Sequence, residues 1–277
     1  MSRKLFCELS PLTYRISVQK GVFLRKLRDF TRGERFAEER QEEPLPVRIY
    51  THNSLIRRKL GNVDMTLQEN KAVNLSLAAP HVDGILIRPG ETFSFWHLVG
   101  PTTAARGYRE GLTISSGRPT SGVGGGMCQF TNLIHWMVLH SPLTVVERHH
   151  HNGLDLFPDY NRQIPFGTGT SVAYNYIDYR FRNDTGITFQ LLVHTTDEYL
   201  CGELRADGRP RSAYHITVED EHFEREGEDV YRVGDVYRET VDRLTGNCVA
   251  RELIQHNHAR VMYDTEGLTI REEKIGG

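Results

Sequence analysis

The stretch that decides the fold is GVGGGMCQFTNLIHWMVL, residues 122–139. Its second half places apolar side chains at i, i+3, i+4, i+7 and i+8, the spacing of one helix face. These residues are Phe130, Leu133, Ile134, Met137 and Val138. The pattern predicts a helix that packs against the core after a glycine-rich turn. The helix should end before Pro142, because proline cannot continue it.

A cysteine stands where the turn enters this helix. Gly124, Gly125 and Gly126 allow positive φ and a close approach of the backbone to a ligand. In a first helical turn, Cys128 would lie at the positive end of the helix dipole, which favours the nucleophilic thiolate. The unpaired N–H groups of that turn are suited to stabilise an oxyanion. The alternative is a small buried side chain at a tight turn, a common role of a free cysteine.

A histidine run, ERHHH, follows the helix. Alternate side chains of a strand share a face, so Glu147, His149 and His151 are predicted to lie together. Arg148 and His150 then point to the other face. Two histidines on one face supply a general base and its orienting partner, or two metal ligands. The alternative is a solvated strand end.

These motifs predict a cysteine-centred site. Cys128 is the candidate nucleophile, with His149 or His151 as its partner, and this chemistry needs no cofactor. The candidate substrate-binding or oxyanion groups are Gly124, Gly125, Gly126, Gln129 and Arg148. A second hypothesis uses Cys128, His149 and His151 as ligands of zinc.

The remaining sequence predicts an α+β fold dominated by strands, with one key helix after the glycine-rich turn. The predicted elements are a helix at 70–79, extended runs at 84–87, 91–95 and 144–148, and hairpins at 172–193 and 230–254. The turn signals of the two hairpins are NDTG at 183–186 and LTGN at 244–247.

Composition divides the chain into three parts. Residues 1–46 form a basic N-terminal segment and a linker, which Pro44 and Pro46 mark. Residues 47–206 hold the motifs above as a single catalytic-like domain. Residues 207–277 form a charged C-terminal β-hairpin extension.

The N-terminal segment contains its own helical pattern. Phe23, Leu27 and Phe30 recur at i, i+4 and i+7. The pattern predicts a helix that docks on the main domain, and the alternative is peripheral contact with a membrane surface. Because residues 1–43 have few apolar side chains relative to their charges, we expect them to add little to the core. Residues 47–277 should then fold without them.

Composition and charge restrict the class of protein. A net charge of -2 argues against a dedicated nucleic-acid binder. The sequence has no apolar run that predicts a spanning helix and no recognisable signal peptide, so we expect a cytoplasmic protein without a transmembrane segment. Four cysteines without a CxxC pair argue for reduced thiols rather than a disulfide framework or a structural zinc site.

An ordered set of motifs across residues 80–205 resembles the VanW domain. The motifs are GETFSF at 90–95, VGP at 99–101, RGY at 106–108, GGGMCQ at 124–129, ERHHH at 147–151 and FRNDT at 181–185. The set in this order is far more specific than any one motif. The resemblance implies a bacterial protein of cell-wall metabolism and glycopeptide (vancomycin) resistance.

The resemblance also implies a chemistry. The GGGxCQ cysteine of the family is similar in its expected role to the cysteine of L,D-transpeptidases. Those enzymes form a thioester with a tetrapeptide stem and pass the acyl group to an amine. On this resemblance Cys128 is the nucleophile, and His149 and His151 match the ERHxH histidines. The departures are Met127, FTN at 130–132 and His150, which bear on the substrate pocket.

Three hypotheses of function follow. The first is a cysteine acyltransferase or peptidase that acts on peptidoglycan stem peptides or precursors, accessory to vancomycin resistance. The second is a zinc-dependent hydrolase that uses Cys128, His149 and His151. The third is a non-catalytic binding module of a resistance or cell-wall complex. Stoichiometric metal would identify the second, and an undisturbed phenotype after Cys128→Ser would support the third.

Overall fold

Strands dominate the computed structural model, which describes residues 6–57, 64–115, 118–150, 153–159, 163–174 and 176–272. The helices are α1 (Pro11–Arg32), α2 (Met65–Ala78), α3 (Phe95–Val99) and α4 (Met127–Leu139). The first strands are β1 (Val47–Leu55), β2 (Ile85–Ile87), β3 (Thr92–Ser94), β4 (Glu110–Ser115), β5 (Arg118–Val123), β6 (Thr144–Glu147) and β7 (Leu154–Asp155). The others are β8 (Arg180–Arg182), β9 (Phe189–Thr195), β10 (Tyr199–Ala206), β11 (Ser212–Glu226), β12 (Asp229–Asp242), β13 (Cys248–Val261) and β14 (Ile270–Glu272). The predicted α+β class is confirmed.

Helix α4 lies at the centre of the core, as its apolar stripe predicts. Phe130, Leu133 and Ile134 are fully buried. The helix packs on β1 and β10, which belong to the antiparallel sheet β1-β10-β9-β2. Each fully buried side chain of this size contributes about 1.5–3 kcal/mol to the free energy of unfolding. These buried side chains therefore hold α4, and the turn before it, in place.

The hairpin predicted at 172–193 is wrong. Within the described part of its first arm, the regular strand is β8, and β8 pairs with β3 and β6 instead of β9. Strand β9 pairs with β10. The side-chain amide of Asn183 donates to the carbonyls of Ile87 and Ile187, both at 2.8 Å. The predicted turn therefore carries the chain from one sheet to another.

The hairpin predicted at 230–254 is confirmed as β12 and β13. These strands form the middle of the sheet β14-β11-β12-β13-β7. Strand β7 precedes residue 207, and it pairs in parallel with β13. Arg232 of β12 also forms an ion pair with Asp155 of β7, at 3.5 Å. The C-terminal extension thus shares its sheet with a strand of the 47–206 region.

Residues 35–41, which we call the strap, bind the edges of β2 and β3. Ala37 is buried in the core, and its N–H donates to the carbonyl of Thr92 at 3.0 Å. The N–H of Leu86 donates to the carbonyl of Glu39 at 2.8 Å. The expectation that residues 1–43 add little to the core is therefore wrong for the strap, because its backbone completes two sheet edges.

Truncation should separate the strap from α1. Deletion of residues 1–43 should lower the midpoint of thermal unfolding more than deletion of residues 1–33, since each lost backbone hydrogen bond costs about 0.5–1.5 kcal/mol. Thermal melts of both fragments, followed by circular dichroism, would measure this. Equal melting temperatures would show that the strap contributes nothing.

Helix α2 positions the glycine turn before α4. It begins earlier than the predicted helix, because the Asp64 carboxylate accepts from the N–H of Thr66 and caps its N-terminus. The buried side chain of Asn74 donates to the carbonyls of Arg109 and Gly125, both at 2.9 Å. These bonds fix the turn against α2 and the β4–β5 hairpin.

Gly125 is required by a close approach of two backbones. A Cβ at this position would lie 2.4 Å from the carbonyl carbon of Gly111. A backbone atom cannot swing aside as a side chain does. The adjacent Gly126 has φ +112°, in the region that favours glycine.

Gly125→Ala should therefore destabilise the protein by about 1 kcal/mol or more. Urea unfolding would give the change in the free energy of unfolding. Gly186→Ala is the matched control, since a Cβ at that position would meet no other atom within 4 Å, and it should change stability little. If the two variants unfold at the same urea concentration, the close contact at Gly125 does not affect the stability of the protein.

Candidate functional site

Cys128 lies in the first turn of α4, as the sequence predicts. Within the described chain, the N–H groups of Met127 and Cys128 donate to no backbone carbonyl. Unpaired N–H groups at a helix start, together with the helix dipole, stabilise negative charge placed before them. The turn is therefore able to stabilise an oxyanion next to the thiol.

Residues 167–172, which we call the cover segment, lie beside this thiol, whose residue is partly exposed. The backbone amide of Val172 lies close enough to the Cys128 sulfur to lower the pKa of the thiol. The N–H and hydroxyl of Thr170 both donate to Oδ1 of Asn132, at 2.6 and 2.8 Å. The cover segment is therefore bonded along the face of α4 that carries Cys128.

Two opposed effects act on the pKa of the Cys128 thiol. Burial raises the pKa of Cys128, while the amide groups of Val172 and of Cys128 itself lower it by less. The resulting pKa lies above the ordinary value of a thiol. Desolvation therefore opposes the thiolate that the helix start favours, and it is the larger of the two effects.

His149 is bound to Glu147. Its Nε2 lies 3.0 Å from Oε1 of Glu147, which confirms that the two side chains share a face. The Glu147 carboxylate also accepts from Arg25 and from the Asp178 amide. Among the described residues, no hydrogen bond joins His149 to Cys128. The other predicted partner, His151, lies outside the described residues.

His150 lies on the side of the run that faces α4. A Cβ at Gly169 in the cover segment would lie 3.9 Å from Nε2 of His150 and 3.7 Å from Oδ1 of Asn132. The imidazole is therefore next to the cover segment, on the helix face that begins at Cys128. The sequence placed His150 on this second face correctly, but did not identify the face as the one toward the helix.

A polar row on α4 was missed by sequence reasoning. Its members, spaced at i, i+3, i+4 and i+7, are Cys128, Thr131, Asn132 and His135. His135 is buried, and its Nδ1 lies 3.0 Å from the hydroxyl of Tyr179. Burial lowers the pKa of His135 well below its usual value, so this imidazole is neutral at neutral pH. The sequence signal that could have identified this row is the helical spacing of its polar residues within a buried helix.

Gln129 and Arg148 both bind the protein itself. The Gln129 amide donates to the Ser54 hydroxyl and the Leu55 carbonyl, each at 2.9 Å. The Arg148 guanidinium donates to two carbonyls of the cover segment. Gln129 thus anchors α4 to β1, and Arg148 anchors the cover segment.

The described residues include two of the three predicted zinc ligands, Cys128 and His149. The group among them that could hold a metal ion is Glu224, Glu226 and His258, and it includes neither Cys128 nor His149. The third predicted ligand, His151, lies outside the described residues. The zinc hypothesis, which needs His151, therefore stays a prediction.

The region that contains these residues matches known proteins. A family model described as VanW like protein matches residues 70–205. The Vancomycin B-type resistance protein VanW of Enterococcus faecalis is 36% identical over 238 residues, which cover 86% of each chain. The uncharacterized protein YoaR of Bacillus subtilis is 32% identical over 118 residues, 42% of this chain and 36% of that protein. No solved structure shows a significant match. The extent of these matches shows that this chain belongs to the VanW family.

Proposed function

We propose that this chain uses Cys128 for acyl transfer or peptide cleavage on peptidoglycan stem peptides or their precursors. The observation that carries the proposal is the thiol in a helical first turn whose N–H groups donate to no described backbone carbonyl. The similar Enterococcus faecalis protein is named for B-type vancomycin resistance. A role in that resistance is part of the proposal.

The proposed reaction begins when a base accepts the proton of the Cys128 thiol. The sulfur then attacks the carbonyl carbon of a peptide bond, and the N–H groups of Met127 and Cys128 stabilise the oxyanion that forms. The C–N bond breaks, the amine leaves with the proton held by the base, and a thioester remains. Attack by a second amine or by water releases the acyl group and restores the thiol.

We assign His150 as the base. It lies on the side of the histidine run that faces α4, beside the cover segment. His149 is instead bound through Nε2 to Glu147, and no hydrogen bond among the described residues joins it to Cys128. His151, the second candidate from the sequence, is tested beside them.

A second candidate function is a non-catalytic binding module. The raised pKa of Cys128 favours it, because a protonated thiol is a weak nucleophile. The two functions differ in one observable, the formation of an acyl adduct at Cys128.

Mass spectrometry of the intact protein should detect that adduct. Incubation with synthetic stem peptides and with a disaccharide-pentapeptide precursor should add an acyl group to the wild type and none to Cys128→Ser. Because general base catalysis contributes about 10²–10⁴-fold, His150→Ala should slow acylation by a factor in that range, and His149→Ala by less.

Cys248→Ser is the matched control, since Cys248 is exposed on the C-terminal sheet. It should acylate at the wild-type rate. A folded wild type that binds these peptides without forming an adduct would contradict the acyltransferase and establish the binding module. A larger loss with His151→Ala than with His150→Ala would move the base to His151.

Alkylation should report the state of the thiol. Because burial raises the pKa of Cys128, iodoacetamide at neutral pH should label the exposed Cys248 first. The rate at Cys128 should keep rising above the pH at which an ordinary thiol has ionised. Peptide mapping across pH would measure both rates, with guanidinium-unfolded protein as the control. Early labelling of Cys128 at neutral pH would contradict the raised pKa of its thiol.

A further inference from the structure

Helix α1 presents a row of large apolar side chains to solvent. The row, which we call the stripe, is Leu12, Ile16, Phe23, Leu27 and Phe30. Their spacings are close to multiples of 3.6 residues, so they lie on one side of the helix. Phe23 is 65% exposed and Phe30 is 83% exposed. Contiguous apolar surface of this kind indicates a binding site for another protein or for a membrane.

The opposite side of α1 is fixed to the rest of the protein. Arg25 forms an ion pair with Glu147, and Asp29 accepts two hydrogen bonds from Arg180, at 2.7 and 2.9 Å. Arg180 is buried. Breaking these bonds would leave charges unpaired in a partly buried place, which is costly. The stripe is therefore held outward and does not fold back onto the domain.

The exposed surface of α1 carries charge of one sign. Its exposed basic residues are Arg15, Lys20, Lys26, Arg28 and Arg32. The one acidic residue between positions 11 and 32 is Asp29, which Arg180 binds. Two copies of this face would repel each other, whereas a negatively charged surface would attract it. Charge complementarity therefore selects an anionic occupant with an apolar interior.

We propose that α1 lies on the surface of an anionic lipid bilayer, with the stripe in the interface and its basic side chains on the lipid phosphates. A helix with one apolar and one basic side binds a membrane in this orientation. In the described chain, no helix has the length and apolar character needed to cross a bilayer. Lys26 and Phe30 also line a cleft of about 640 Å³ beside Trp96, so the bound helix would bring the cleft to the lipid surface.

Flotation with vesicles tests the proposal on the full chain. Vesicles of phosphatidylcholine with phosphatidylglycerol should carry the protein to the top of a density gradient, and vesicles of phosphatidylcholine alone should not. High salt should weaken the binding, because it screens the charge attraction. Flotation does not depend on acyl transfer. Its result therefore tests membrane binding independently of the proposed function.

Two sets of variants separate the apolar and the basic contributions. Phe23→Ser with Leu27→Ser should abolish flotation without a change in melting temperature, because both residues are exposed. Lys20→Gln with Lys26→Gln should weaken binding about fivefold for each charge removed, from about 1 kcal/mol per basic residue. Leu244→Ser is the matched control, an exposed apolar residue on the β12–β13 turn, and it should float as the wild type does.

Three outcomes would overturn the proposal. The first is failure of the wild type to float with anionic vesicles. The second is an equal loss of flotation in Leu244→Ser. The third is a dimer in sedimentation experiments that the Phe23→Ser, Leu27→Ser variant converts to monomer, which would assign the stripe to a second copy of the chain.

Discussion

The buried ion pair of Asp178 and Arg180 is the interaction on which the arrangement of the chain depends. Nε of Arg180 lies 2.7 Å from Asp178, and its terminal nitrogens bind Asp29 of α1. Asp178 also accepts from the Ser94 hydroxyl and the Trp96 amide, at 2.5 and 3.1 Å. Buried charges are tolerated only when their partners are all present. This one requirement fixes β8, the start of α3 and helix α1 relative to one another, and it directs the exposed side of α1.

The elements that could be predicted are those specified by local pattern. Helix α4 follows from its apolar spacing, and the β12–β13 hairpin from its turn residues. Residues 172–181 have the composition of a strand, but Asp178 and Tyr179 are buried by partners distant in sequence. Asn183 then directs the chain into a second sheet. No local pattern specifies these long-range contacts, so the predicted hairpin failed.

The same division applies to the candidate site. The glycine turn, the helix start and the shared face of Glu147 and His149 were predictable, because each depends on neighbours in sequence. The partner of the thiol was not. Glu147 is already bound by Arg25 from α1, 122 residues away, and this network holds His149 on its own side. The cover segment, which lies beside Cys128, also comes from a distant part of the chain.

The ionisation of Cys128 is set by two effects that oppose each other. Burial by the surrounding protein raises the pKa of the thiol, and the amides of Val172 and of Cys128 itself lower it by less. The residue is partly exposed, so a thiol that is mostly protonated at neutral pH lies within reach of solvent. Under the proposed chemistry, a base that accepts the thiol proton is therefore required, and the N–H groups and dipole of α4 act on the oxyanion that forms after the attack.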